Sequence, residues 1–161
     1  MARVYVSIGS NIDRSRNIRA ALDALAARFT NLAQSRVYES VAVGFAGDPF
    51  YNLVAAFDAE ESPREIVAVL HDIEECQGRE RGGERFAPRT LDIDLLLYDD
   101  LCMREGKLVL PRDEITRYAF VLRPLAELAP DLRHPVSGRT CAELWRDFAD
   151  DGQELWPVEL E

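Results

Sequence analysis

Apolar and polar residues alternate through "RVYVSIG" (residues 3–9), a run rich in β-branched side chains, so the chain opens on a strand that the turn formers of "GSN" close. From about Asp13 the period changes: Ile18, Ala21, Leu22, Leu25 and Phe29 recur at helical spacing and predict one amphipathic helix. "AQSRVYES" (33–40) and "FYNLVAAFDA" (50–59) read as two strands joined by the loop "VAVGFAGDP". "SPRE" then starts a second helix, with Ser62 as N-cap, Pro63 in the first helical position and Glu65 as the capping-box partner. Ile66, Val69, Leu70 and Ile73 give it a buried stripe, and Gly78 is its natural stop. "GRERGGERFAPR" (78–89) has no period and reads as a loop, and "TLDIDLLLYD" (90–99) as a strand. "LVLP" is a short extended segment, "AFVLRPLAELAP" a helix interrupted or kinked near Pro124, and "TCAELWRDFA" a final short helix.

The order βαββαβ followed by short helices predicts an α+β fold of the ferredoxin-like kind, an αβα layered domain with a mainly antiparallel sheet. At 161 residues, with no repeat, linker or low-complexity stretch, residues 1–161 are expected to form a single domain.

Composition narrows the function classes. A net charge of −10 argues against nucleic acid or an anionic membrane surface as partner, because both need an electropositive face. No apolar run approaches the roughly 20 residues that span a bilayer. "MARVYVSIGSN" lacks an apolar core followed by a small-residue cleavage site, so a cytoplasmic location is expected. Cys76, Cys102 and Cys141 are odd in number and far apart, which suits incidental or buried thiols rather than a disulfide framework or zinc site. Of the 19 basic residues Lys107 is the one lysine, so clustered arginines partly reflect a general bias.

Within "RFAPRTLDIDLLL" (85–97), Asp92 and Asp94 interrupt an apolar strand directly behind the arginine-rich loop. On a strand they share one face with Cα atoms roughly 7 Å apart, while Leu91, Ile93, Leu95 and Leu97 take the other face against a helix layer. One reading is a solvent-facing side of an antiparallel sheet. Against it, the aspartate face continues as Leu96 and Tyr98, and two like charges side by side repel. A bound cation would remove that repulsion, and magnesium is often held by one or two carboxylates plus substrate phosphates. Arg79, Arg81, Arg85 and Arg89 are either a solvated charged loop or guanidinium forks for a polyphosphate, which Gly82 and Gly83 would let close. Lys107 lacks the glycine frame of a Walker A motif, so a nucleotide would bind without a P-loop.

"RFAPRTLDIDLL" resembles the signature of the 6-hydroxymethyl-7,8-dihydropterin pyrophosphokinases of folate biosynthesis: a basic residue, a small residue, Pro and Arg at fixed spacing, then the paired aspartates and aliphatics. "SIGSN", "FYNLVAAF" and "FVLRPLAELAP" resemble further motifs of that family in the same order, so the similarity spans nearly the whole chain. The resemblance implies transfer of the β,γ-diphosphate of ATP to the pterin hydroxymethyl group with release of AMP, and two magnesium ions on Asp92 and Asp94. It also implies a catalytic part for Arg79 and Arg89, and a nucleotide site of Glu74, Arg79, Arg81, Arg85, Arg89 and Arg112. The implied pterin site consists of Val43, Gly44, Phe50, Asn52, Phe86, Asp92 and Phe120. In it Phe50 and Phe120 sandwich the ring, Asn52 pairs with its edge, and Phe86 stands where tryptophan is more usual. Without the resemblance, Phe50 and Phe120 read as plain core and Asn52 as a strand-end turn former. The implied partners are pterin and ATP, and the implied assembly a monomer or weak dimer.

"LPRDEITRYAF" departs from the pattern. Arg112 replaces a histidine that contacts nucleotide phosphates, Asp113 falls on a site often aromatic, and Tyr118 on one often basic. The departure keeps a second reading open, a regulatory paralogue that holds pterin or nucleotide without chemistry. An RNA-binding ferredoxin-like module would need a basic sheet face, which the charge disfavours.

Overall fold

In the computed structural model, which describes residues 1–40, 49–79, 91–148 and 154–160, the alternating N-terminal run forms β1 (Ala2–Ser10). Its even positions Ala2, Val4, Val6, Ile8 and Ser10 are buried on one face. Strand β4 (Phe50–Ala59) pairs antiparallel with β1 over its whole length, from Ala2 opposite Ala59 to Ser10 opposite Tyr51. β5 (Asp92–Tyr98) closes on the other side of β1. β2 (Thr30–Gln34) and β3 (Val37–Ser40) share the far edge of β4, and β8 (Leu155–Val158) pairs with β3. All these pairings are antiparallel, and the architecture is the ferredoxin-like α+β arrangement.

Helices α1 (Arg14–Arg28) and α2 (Pro63–Arg79) cover one face of the sheet. Ile18, Ala21, Leu22 and Leu25, with Ile66, Val69, Leu70 and Ile73, meet Val4, Val6, Ile8, Leu53, Phe57 and Ile93 in one apolar cluster. The capping box is present: Glu65 N–H donates to Ser62 Oγ at 3.3 Å and Ser62 N–H to Glu65 Oε1 at 3.0 Å. On the opposite face α3 (Ala119–Leu128) and α4 (Cys141–Arg146) enclose a second cluster with Val54, Leu96, Leu97 and Ile115.

Several expectations are corrected. "AQSRVYES" is two strands: the backbone of Ser35 accepts no simple continuation, because its Oγ replaces a backbone acceptor for Val54 N–H (3.0 Å) while donating to Arg36 O (2.8 Å). Helix α2 runs through Gly78 to Arg79. Helix α3 is one run containing Pro124; Val121, Leu122, Leu125 and Ala126 pin it to the sheet on both sides of the proline, so packing outweighs one missing hydrogen bond. β6 (Met103–Glu105) and β7 (Leu108–Leu110) form a hairpin whose turn uses Gly106 at φ 61°; only its second strand was expected. β8 and the 3₁₀ turn Asp113–Thr116 were not expected at all.

The most consequential correction lies in β5. Val6 faces Leu95 but Tyr5 faces Leu97, so Leu96 is an extra, bulged residue. The alternation therefore flips: Leu97 joins Leu96 in the second cluster, and Tyr98 packs against the first, its hydroxyl donating to Glu61 O at 2.7 Å. The bulged Leu96 carbonyl accepts from Arg112 N–H at 3.0 Å, which ties the segment after β7 to this strand.

The first cluster has a clear test at Phe57, which is fully buried and stacked on Phe29 with ring centroids 4.2 Å apart. Phe57→Ala should cost about 3–5 kcal/mol in urea unfolding; a loss under about 1 kcal/mol would mean that the site collapses and that this stack is not a packing centre.

Candidate active site

The two-sided pairing of β1 creates the site. Gly9 lies opposite Asn52 of β4 on one side and Asp92 of β5 on the other, and Ser7 lies opposite Asp94. Directly opposed residues share a sheet face, so Asn52, Gly9 and Asp92 form a row across three strands. Neighbouring strands are about 4.8 Å apart, which separates Asn52 and Asp92 by roughly 10 Å with no side chain between them. A Cβ at residue 9 would sit 2.8 Å from Asn52 Oδ1, closer than any ordinary contact. Glycine there clears a floor and lets the amide lie flat on β1.

Asn52 is buried, and its amide nitrogen donates to Ser40 Oγ at 3.0 Å, which fixes its orientation. Phe50, two residues earlier on the same face of β4, and Phe120 in the first turn of α3 stand over this floor. Tyr118 stacks on Phe120 with centroids 5.0 Å apart and planes 17° from parallel. Together with Ser7, Asp94, Glu114 and Val121, these residues line a cleft of about 350 Å³. A slot with aromatic walls, one oriented amide and carboxylates at one end suits a flat, hydrogen-bonding heterocycle next to a cation.

Glu74 stands behind the aspartates rather than in the cleft. From α2 its Oε2 accepts from Ile93 N–H at 2.9 Å, capping the exposed edge of β5 between Asp92 and Asp94. Burial pushes its carboxyl above the ordinary glutamate value; the Ile93 hydrogen bond opposes this, and Asp92 and Asp94 add to it. On the other side Arg112 Nη2 lies 3.5 Å from Asp94 Oδ1 and its Nε 2.5 Å from Glu114 Oε2. Burial weakens the charge of Arg112, but the Glu114 hydrogen bond and the fields of Asp94 and Glu114 more than offset that.

Phe50, Asn52, Asp92, Asp94 and Phe120, expected from the sequence to act together, thus line one cleft, and Arg112 reaches it through Asp94. Val43, Gly44, Arg81, Arg85, Phe86 and Arg89 lie outside the described residues; Arg79 ends α2, and its side chain is outside them too. Ser7, Ser40, Glu114 and the aromatic role of Tyr118 were not anticipated. Gly9 could have been, since a glycine inside a strand pattern marks close approach; nothing local distinguishes Glu114. Among the described residues no three His, Cys, Asp or Glu side chains gather as metal ligands. Two carboxylates on one strand face are the hard oxygen donors that suit magnesium, and they are not the thiolate and imidazole set of a structural zinc site. His134 Nδ1 accepts from Val136 and Ser137 N–H at 3.2 Å in a turn, a structural use.

The family model for 7,8-dihydro-6-hydroxymethylpterin-pyrophosphokinase (HPPK) matches residues 5–130. A 2-amino-4-hydroxy-6-hydroxymethyldihydropteridine pyrophosphokinase of Pseudomonas aeruginosa is 42% identical, covering 96% of this chain and 97% of that protein. One of Methylorubrum extorquens is 38% identical over 96% and 98%. Among solved structures, wild-type HPPK-DHPS of Plasmodium falciparum superposes with a TM-score of 0.73 at 14% identity, covering 91% of this chain and 44% of that one, a likeness of fold.

Glu74 gives a pH test of this geometry. Its folded-state affinity for a proton exceeds that of the unfolded chain, so its contribution to stability is fullest below the ordinary glutamate value. That contribution is lost as pH rises through the raised titration. Glu74→Gln keeps an acceptor for Ile93 N–H but cannot ionise. The metal-free variant should lose less stability than wild type between acid and neutral pH, measured by urea unfolding across that range; an unchanged decline would refute the assignment.

Proposed function

The chain belongs to the 7,8-dihydro-6-hydroxymethylpterin-pyrophosphokinase family, and from that premise we propose that it transfers diphosphate from ATP to the hydroxymethyl group of 6-hydroxymethyl-7,8-dihydropterin, releasing AMP, in folate biosynthesis. The observation that carries this reading is the single cleft in which Asp92 and Asp94 meet Phe50, Asn52 and Phe120. The hydroxymethyl oxygen attacks the β-phosphorus; the new O–P bond forms as the bond from β-phosphorus to the AMP oxygen breaks, and the hydroxyl proton leaves to solvent.

In this reading Phe50 and Phe120 hold the pterin ring between their faces, and the Asn52 amide, oriented by Ser40, pairs with its edge. Val43, Gly44 and Phe86 complete the pterin site. Asp92 and Asp94 hold two magnesium ions. Magnesium, when bound, offsets phosphate charge and stabilises the attacking and leaving oxygens. Arg79, Arg81, Arg85 and Arg89 grip the phosphates, with Arg79 and Arg89 acting on the transferred group, and Glu74 and Arg112 belong to the nucleotide side. The enzyme works in the cytoplasm as a monomer or weak dimer. The free thiols Cys76, Cys102 and Cys141 support the location, since such thiols suit a reducing compartment.

The direct experiment is incubation with ATP, magnesium and the pterin, followed by assay for AMP. Asp92→Ala and Asp94→Ala should each lower turnover about a thousandfold, roughly 4 kcal/mol of transition-state stabilisation, without unfolding the protein. Near-normal turnover by either folded variant would remove the carboxylates from the reaction. No AMP from wild type, despite bound nucleotide or pterin, would leave a binding protein.

The two phenylalanines are tested separately. Phe50→Ala or Phe120→Ala should weaken pterin binding much more than ATP binding in calorimetry, since each removes one wall of the slot. Equal losses for both ligands would make these rings core rather than recognition elements.

A further inference from the structure

Arg112 is held at three points: its N–H donates to the bulged Leu96 carbonyl at 3.0 Å, its Nε meets Glu114 at 2.5 Å, and its Nη2 lies 3.5 Å from Asp94. The first two contacts fix the backbone and the guanidinium plane, so the third is aimed at Asp94 by construction. Arg112 and Asp94 are partly buried, with side-chain exposures of 30% and 40%, where a charge is felt more strongly than in open water. The same Asp94 is the carboxylate assigned above to magnesium.

We propose that Arg112 makes metal and nucleotide binding interdependent: without nucleotide its guanidinium occupies Asp94 and opposes a cation there, and the phosphates of ATP draw it off. The inference rests on the assignment of Asp92 and Asp94 in the proposed function. A divalent ion arriving alone must enter beside a fixed positive charge or displace it. An ion arriving with ATP brings phosphate oxygens that accept the guanidinium fork and leave Asp94 to the metal. Metal and nucleotide then each tighten the other by the same factor, as linkage requires. Arg112 is a positioning residue toward the metal and a binding residue toward the phosphates, and these two roles have opposite signs.

That opposition supplies the test. Mn²⁺ is titrated into the full chain with free ion followed by electron paramagnetic resonance, with and without α,β-methylene-ATP, which cannot be cleaved at the reacting bond. Arg112→Gln should bind Mn²⁺ alone about fivefold to tenfold more tightly than wild type, yet bind the metal–nucleotide complex less tightly. Arg112→Lys, which keeps the charge, should stay near wild type for the metal alone. Arg112→Met, uncharged with a similar stem, replaces the glutamine variant if melting shows that one unfolded. If wild type releases AMP but the uncharged variant binds Mn²⁺ no more tightly, or Arg112→Lys binds as tightly as Arg112→Gln, the inference fails while the proposed function stands. If Asp94→Asn binds Mn²⁺ as well as wild type, the metal is not on this carboxylate, and the inference falls together with the assignment of Asp94 to the metal, while AMP release by wild type still decides the reaction.

Discussion

Because β1 is hydrogen-bonded to β4 on one side and β5 on the other, the register of this one strand decides which residues can meet in the cleft. It sets Asn52 and Asp92 on either side of Gly9, and the missing side chain between them leaves a floor that any other residue would fill. A slip of one residue would turn Asp92, Asp94 and Asn52 into the apolar layer beneath α1 and α2. The large cluster under those helices, with Ile8, Leu53, Phe57 and Ile93 buried, holds the register against such a slip.

The electrostatics follow from the same placement. β5 is the edge of the sheet, so its outward backbone groups need partners from elsewhere. Glu74 supplies one at Ile93 and the segment at Arg112 another at Leu96. Each of these edge caps brings a charge beside the aspartate pair, negative behind and positive in front. The residues that satisfy the edge of the strand thereby also set the charges around Asp92 and Asp94.

The bulge at Leu96 connects the two halves of this arrangement. It ends the regular alternation of β5 just after Asp94 and presents the carbonyl that seats Arg112. It also turns Leu97 toward α3, whose first turn carries Phe120 and whose N-cap is Tyr118. The aromatic wall and the cationic contact thus depend on one irregularity in the strand that carries the carboxylates.

The sequence by itself determined the succession of β1, α1, β4, α2 and β5, both buried helix stripes, the Ser62 capping box and the shared face of Asp92 and Asp94, because periodicity and capping act over a few residues. The family motifs "FYNLVAAF" and "FVLRPLAELAP" further pointed to Phe50, Asn52 and Phe120, residues whose own spacing reads as core and turn. What the sequence did not reveal was Leu97's face, the division of "AQSRVYES", the continuity of α3 through Pro124, and β8. Each of these depends on a partner far along the chain: Tyr5 and Val6 across the bulge, Val54 at Ser35, the sheet beneath α3, and β3 beside β8. Only the tertiary structure brought Glu74 to Ile93 and Arg112 to Asp94 and Glu114, because a charge on a local pattern has no direction until folding supplies its counterpart.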